Sequence, residues 1–175
     1  VDHGERPGNT YWCLIGIDSC DRVWVLDEYI PQERLTPLAE ATAVQAMLKD
    51  WGLTLWQVDE ARGDSNSLGR LGLGASVNQA LEAAFAQLVG AKRPPFRIEV
   101  PWKGAGSIRA RARILSNACV AGNFRVNKKC SVLISSLRHW HGKNDSFKHA
   151  YDGCVYVSEI YLSQTIKGIG HLVIT

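Results

Sequence analysis

The chain has 175 residues, of which 46% are hydrophobic and 21% charged, enough apolar material for one ordinary domain with its own core and too much for a disordered tail. Its net charge of +3 conceals a division: residues 92–148 carry thirteen lysines and arginines against two acids (+11), whereas residues 1–91 carry six against thirteen (−7). No apolar run approaches the ~20 residues of a membrane helix, and the amino terminus has no signal-peptide pattern, so a membrane or secreted protein is not expected.

At the start, Val1-Asp2-His3-Gly4 and a turn rich in Gly, Pro and Asn precede an apolar strand over residues 11–17. Asp2 is therefore expected on a first strand that is truncated ahead of Val1. Asp18-Ser19-Cys20-Asp21 reads as a tight turn, and residues 23–26 with Tyr29-Ile30 as the next strand. Asp18 is the rival first-strand acid if residues 11–17 prove to be the first strand. A helix over residues 35–51 is opened by Thr36-Pro37 and closed by Gly52, with Leu38, Ala41, Val44, Leu48 and Trp51 at helical spacing.

Residues 53–59 are rich in β-formers and stop at Asp59, which predicts a buried strand with a carboxylate at its carboxyl end, where open α/β sheets keep their ligands. The plainer alternative is an acid that ends a strand and starts a turn. By strand alternation Glu60 points to the opposite face, and Asp64 is a helix cap or outer-shell acid. The glycines of residues 69–74 lead into a helix over 77–88, and with no G-x-x-x-x-G-K-[ST] in the chain they are a flexible lead-in, not a phosphate loop.

After Pro94-Pro95 come a short strand over 96–102, a basic helix over 108–121 with Arg109 and Arg113 on one face, an extended piece at 124–126, and a helix over 131–140. The last helix spans 146–162 and brings His149 and Asp152, three residues apart, to one face. Residues 163–175 read as an apolar tail outside a domain of residues 1–162. Five cysteines, odd in number, scattered and without a C-x-x-C pair, read as reduced intracellular thiols rather than a disulfide framework or a zinc site.

Three antiparallel strands followed by alternating helices and strands predict an α/β domain, a mixed sheet with helices on both faces. That order is similar to the RNase H-like fold. The similarity implies metal-holding acids on the first strand, at the end of the fourth and on the last helix, the places of Asp2, Asp59 and Asp152. Two divalent cations held ~3.5–4 Å apart activate a water and stabilise a leaving oxygen, and carboxylates suit the hard ions Mg²⁺ and Mn²⁺. A chain with a basic half and clustered acids suits such a reaction on a polyanion; a solvated basic face with no partner is the plainer alternative.

The motifs together resemble the nuclease domain of the large terminase subunit of tailed bacteriophages. Asp2-His3-Gly4 resembles that family's first acid and turn, Val58-Asp59-Glu60-Ala61 its second, and Val100-Pro101-Trp102-Lys103-Gly104 its following basic segment. His149-Ala150-Tyr151-Asp152-Gly153-Cys154-Val155-Tyr156 is similar to its closing H-x-x-D-A-x-R-Y signature. The resemblance implies a DNA endonuclease that cuts concatemeric duplex DNA with low sequence specificity in the host cell cytoplasm. It implies two Mg²⁺ or Mn²⁺ ions on Asp2, Asp59 and Asp152, with His149 as outer ligand or proton shuttle. Lys103, Arg109, Arg113, Lys128 and Lys129 are the expected contacts to the DNA backbone, and the small terminase subunit and portal the expected partners of the full motor. The chain departs from the pattern at Lys148, where the family is often acidic, and at Gly153 and Val155; Asp145 is a substitute ligand. The ATPase motor and its P-loop are absent from this chain. A Holliday-junction resolvase of the RuvC type and a catalytically silent RNase H-like binding module are the alternatives.

Overall fold

A computed structural model of the protein describes residues 10–63, 76–101, 107–141, 148–163 and 172–174. Strand β1 (Trp12–Ile17) is apolar at every position because both of its faces are covered. Tyr11, Cys13, Ile15 and Ile17 enter one core and Trp12 and Leu14 the other. A tight turn carrying Asp21 at φ 58° folds β2 (Val23–Tyr29) back antiparallel onto β1, with a register shift between Leu14 and Ile15.

Helix α1 (Pro37–Asp50) starts where the sequence places it: the Thr36 side chain accepts from the Ala39 N–H, and Pro37 occupies the first turn. Gly52 at φ +69° ends it, its N–H donating to the Lys49 carbonyl. Strand β3 (Glu60–Arg62) follows, then α2 (Val77–Leu88), capped by Ser76 and Gln79 in a reciprocal pair. After β4 (Ile98–Glu99) come α3 (Ser107–Val120), β5 (Phe124–Val126), α4 (Ser131–His139), α5 (Lys148–Ser163) and β6 (Leu172–Ile174).

The six strands form one mixed sheet in the order β4-β3-β6-β1-β2-β5. Strand β1 is antiparallel to β2 and β6, while β2–β5, β3–β4 and β3–β6 are parallel. Helices α1 and α2 close one face around Trp12, Leu14, Val44, Leu48, Leu81 and Phe85. Helices α3, α4 and α5 close the other around Ile15, Val25, Leu115, Leu133 and Val155. A mixed α/β domain with helices on both faces is thus what the chain forms. Among the described residues no helix is long and apolar enough to cross a membrane, and all five cysteines are free thiols.

Two elements differ from expectation. The run over residues 53–59 is not a strand: Leu55–Gln57 make a 3₁₀ turn, and β3 begins only at Glu60. The Thr54 N–H and hydroxyl both donate to Gln57 Oε1, at 2.9 and 3.0 Å, which holds the turn closed. Three-residue periodicity then sends Leu55 and Val58 inward and leaves Trp56 61% exposed. The second difference is at the chain's end. Leu172–Ile174, expected in a tail outside the domain, form β6 in the middle of the sheet, between β1 and β3, so the domain extends to residue 174. The expected first strand at Val1-Asp2 lies outside the described residues.

Candidate functional site

The strand directions bring the carboxyl ends of β3 and β6 and the amino end of β1 to one end of the sheet. The carboxyl end of β2 joins them, because Trp12 pairs with Tyr29. Helix α5 crosses the sheet obliquely from this end. Gly153 lies so close to β1 that a Cβ there would meet Tyr11 Cδ1 at 2.8 Å, and the Tyr161 hydroxyl, two turns on, donates to Glu60 Oε2 at 3.0 Å. Glycine is therefore the residue that lets α5 settle onto Tyr11.

Ladder pairing makes Glu60, Val173 and Ile15 level with one another, and Tyr11 is four residues further along β1. At ~3.3 Å per residue the two levels are about 13 Å apart. Asp152, beside Gly153, belongs to the Tyr11 end. Asp59, ahead of Glu60, belongs to the other and is exposed. The expected carboxylate at the carboxyl end of a strand thus sits at its amino side, because the strand starts seven residues later than residue 53. Glu60 points to the α5 face, opposite to buried Ala61, and is ion-paired with Arg62.

Around Asp152 the surroundings are enclosed and mixed in charge. Its carboxylate, 14% exposed, is ion-paired with Lys148 Nζ at 3.1 Å, one turn earlier on α5. His149 is half-buried on the same turn. Tyr151 is stacked on Trp140 with ring centroids 4.1 Å apart, and its buried hydroxyl has no hydrogen-bond partner among the described residues. Burial and the neighbouring Asp152 charge raise the Tyr151 phenol well above its ordinary value, so it stays a proton donor at any physiological pH. Arg111 is 5% exposed, its guanidinium 5.5 Å from the centre of the Tyr156 ring.

On the other face of the same end stands Glu40, which the sequence reading passed over. It is 8% exposed, accepts the Trp12 indole N–H at 2.6 Å, and its pKa is raised by desolvation against the opposing pull of that bond. Its signal was present: Glu40, Val44 and Leu48 share the helix stripe that faces the core. Arg111 was likewise separable from Arg109 and Arg113 by helical phase, and it alone of the three is buried.

The remaining expected residues divide clearly. Arg109, Arg113 and Lys128 are exposed, on the α3–α4 side that also carries α5. Lys129 is tied to Asp27 and lies 4.9 Å over the Trp51 ring, so its charge is partly spent inside the protein. Asp18, at the opposite end of β1 from Tyr11, is a turn anchor: it accepts from the Cys20 and Arg22 N–H groups, from Arg22 Nε at 2.7 Å and from Trp24 Nε1 at 2.9 Å. Although desolvation opposes it, bonds from Trp24, Arg22 and Cys20 hold its carboxyl far below the ordinary range. Asp2, Asp64, Asp145 and Lys103 lie outside the described residues.

Carboxylate oxygens are suitable donors for hard divalent cations. The expected acids are of the kind such ions take; Asp152 lies toward the Tyr11 end of the sheet and Asp59 at the amino side of β3. Among the described residues no three His, Cys, Asp or Glu side chains converge on one point. Compared with protein-family models, curated proteins and solved structures, the chain matches none.

Proposed function

We propose that this domain is a metal-dependent DNA endonuclease with the RNase H-like strand order, of the kind found in the terminase nuclease domain. The observation that carries the reading is the arrangement of the sheet: a central strand, β6, antiparallel to its neighbour β1 and parallel to β3 and β4, with the last helix bringing Asp152 toward the end of the sheet where β6 and β3 finish. In this reading β6 takes the seat of the fold's first strand, β1 and β2 are the second and third, and β3 and β4 the fourth and fifth.

The acids of the site are then Asp152, Asp2 and, in place of Asp59, Asp64, the acid that follows the carboxyl end of β3 by two residues. Bound Mg²⁺ or Mn²⁺ would supply the activated water and the stabilisation of the leaving oxygen. The chain's own residues do the rest. Exposed Arg109 and Arg113 on α3 hold backbone phosphates, which gives affinity with little sequence reading and a steep dependence on salt. His149, on the same turn as Asp152, exchanges a proton through a ring nitrogen. The Tyr151 hydroxyl remains protonated and can donate a hydrogen bond.

A supercoiled-plasmid assay with Mn²⁺ tests this. The expected result is nicking that EDTA abolishes and that falls steeply with salt, with no preference for four-way junctions over linear duplex; a strong junction preference would move the reading to a resolvase. The Lys148–Asp152 ion pair favours one further reading, a silent binding module in which Asp152 is a structural partner of Lys148. Calorimetry separates the two, since a silent module gives no Mn²⁺ heat that Asp152→Asn removes.

A further inference from the structure

Trp12 of β1 is fully buried, whereas Trp24 of β2 belongs to neither core. Its strand neighbours Val23 and Val25 are buried in the core under α3, α4 and α5, so by alternation Trp24 lies on the opposite face of the sheet, with Arg22 two residues before it. Register sets Arg125 of the edge strand β5 directly beside Trp24, and Arg125 is exposed. Both guanidinium groups reach the ring: that of Arg125 is 5.1 Å from its centre and that of Arg22 5.9 Å. The indole N–H donates to Asp18 Oδ2 at 2.9 Å, and Arg22 Nε donates to the same oxygen at 2.7 Å.

Further along β2 the same device recurs. Asp27 pairs with Leu14, a residue of the α1–α2 core, and so shares the face of Trp24. Its Oδ2 accepts the indole N–H of Trp51, from the end of α1, at 2.9 Å and is ion-paired with Lys129, whose Nζ lies 4.9 Å from the centre of the Trp51 ring. Lys129 comes from the connection after β5, where the Asn127 N–H still donates to the Val25 carbonyl. In both places a carboxylate fixes an indole by its edge and a cation lies across the ring. Trp51 is 36% exposed and, like Trp24, is outside both cores, so carboxylates and cations set these two rings rather than core packing.

Unpaired bases stack on aromatic rings and on guanidinium planes, and the phosphates between them take cationic N–H donors. Bases in a duplex are stacked on one another and offer no face to an indole. Arg125 has no carboxylate partner among the described residues, while Arg22 and Lys129 keep N–H groups beyond those given to their aspartates. We propose that the face of β2 and β5 bearing Trp24 and Trp51 binds single-stranded nucleic acid: the two indoles and the Arg125 plane take bases, and Arg22, Arg125 and Lys129 take phosphates. Rings already held in place lose little freedom when a strand binds. This surface is across the sheet from Asp152, Arg109 and Arg113, which belong to the α3–α5 side, and is therefore a second contact separate from the candidate site. The inference goes beyond the nuclease reading and does not depend on it.

The test is fluorescence anisotropy of a labelled oligothymidylate with the full chain, in EDTA so that binding is read without cleavage. The single strand should bind more tightly than a duplex of the same length. Trp24→Ala and Trp51→Ala should each weaken it by about 5–100-fold. Arg125→Ala should weaken it too and lower the slope of log affinity against log salt by about one. Each variant is checked by thermal melting; if an alanine variant at a tryptophan does not fold, the exposed Arg125→Ala decides in its place. The double variant Arg109→Ala, Arg113→Ala should keep the oligonucleotide affinity within about twofold. Absence of binding at low salt, equal affinity for the duplex, or unchanged affinity in folded Trp24→Ala and Trp51→Ala overturns the proposal. So does loss of binding in the Arg109, Arg113 double variant alone, which puts the strand on the other face. Displacement of the oligonucleotide by an equal concentration of polyglutamate also overturns it, in favour of an acidic peptide.

Discussion

Asp18 and Glu40 stand at opposite ends of one sheet and show two ways a fold treats an acid. Asp18 sits in the β1–β2 turn with four donors directed at it, so its charge is wanted by the structure and its carboxyl is held far below the ordinary range. Glu40 is buried at the other end, with one indole N–H for compensation and a raised pKa. Asp152, on the opposite face of that same end, is enclosed and balanced by a lysine on its own helix. An end that keeps acids against their own solvation is where function is sought, and an acid satisfied by its own turn is where it is not.

Substitutions can break this contrast or sharpen it. The largest effect on stability is expected from Gly153→Val, which drives a side chain into Tyr11 and separates α5 from β1; overpacking of this sort costs about 1–3 kcal/mol, read by chemical denaturation. Next is Glu40→Gln, which keeps an acceptor for Trp12 and removes the buried charge. Because the folded carboxyl binds its proton more tightly than the unfolded one, whose value is near 4.5, stability falls as pH rises through that window, and the penalty is complete above the folded pKa. The variant should therefore melt about 2–4 °C higher at neutral pH, and the gain should vanish below the unfolded value. If the variant melts lower at neutral pH, the Glu40 charge is stabilising and the contrast with Asp18 fails.

Asp18→Asn should act in the reverse sense. A depressed carboxyl contributes stability above its unfolded value of 3.8 that is lost as pH falls, so the wild-type melting temperature should drop in acid and the variant should lose part of that slope. The smallest effect belongs to Lys148→Ala. A partly exposed pair within one helix is worth ~0–1 kcal/mol, so stability should barely change while Mn²⁺ binding tightens by no more than about fivefold, measured by calorimetry. Weaker Mn²⁺ binding would mean that Lys148 supports the site rather than competing for Asp152.

Much of the fold was legible where the signal was local. The β1–β2 hairpin, α1 with its Thr36-Pro37 start and Gly52 stop, α2 and α4 announce themselves by periodicity and caps. Two elements were not. Residues 53–59 contain apolar positions that alternate well enough to pass for a strand, and the bonds from Thr54 to Gln57 that make the turn are invisible to hydrophobic pattern. Strand β6 has three residues, and its partners lie more than a hundred residues away in sequence, so only pairing reveals it. The later start of the strand, at Glu60 and not at residue 53, puts Asp59 at its amino side rather than its carboxyl end. That His149 and Asp152 share one helix was legible because spacing on a helix survives such shifts, and Glu40 was readable as an acid in the apolar stripe of α1.

The most direct test of the account compares two acids in one assay: Mn²⁺-dependent nicking of supercoiled plasmid by the full chain, its Asp152→Asn variant and its Asp59→Asn variant, each checked for folding by thermal melting. The account predicts that Asp152→Asn removes nicking and Asp59→Asn leaves it close to wild type. Undiminished nicking by folded Asp152→Asn, or loss of nicking in Asp59→Asn alone, would contradict it.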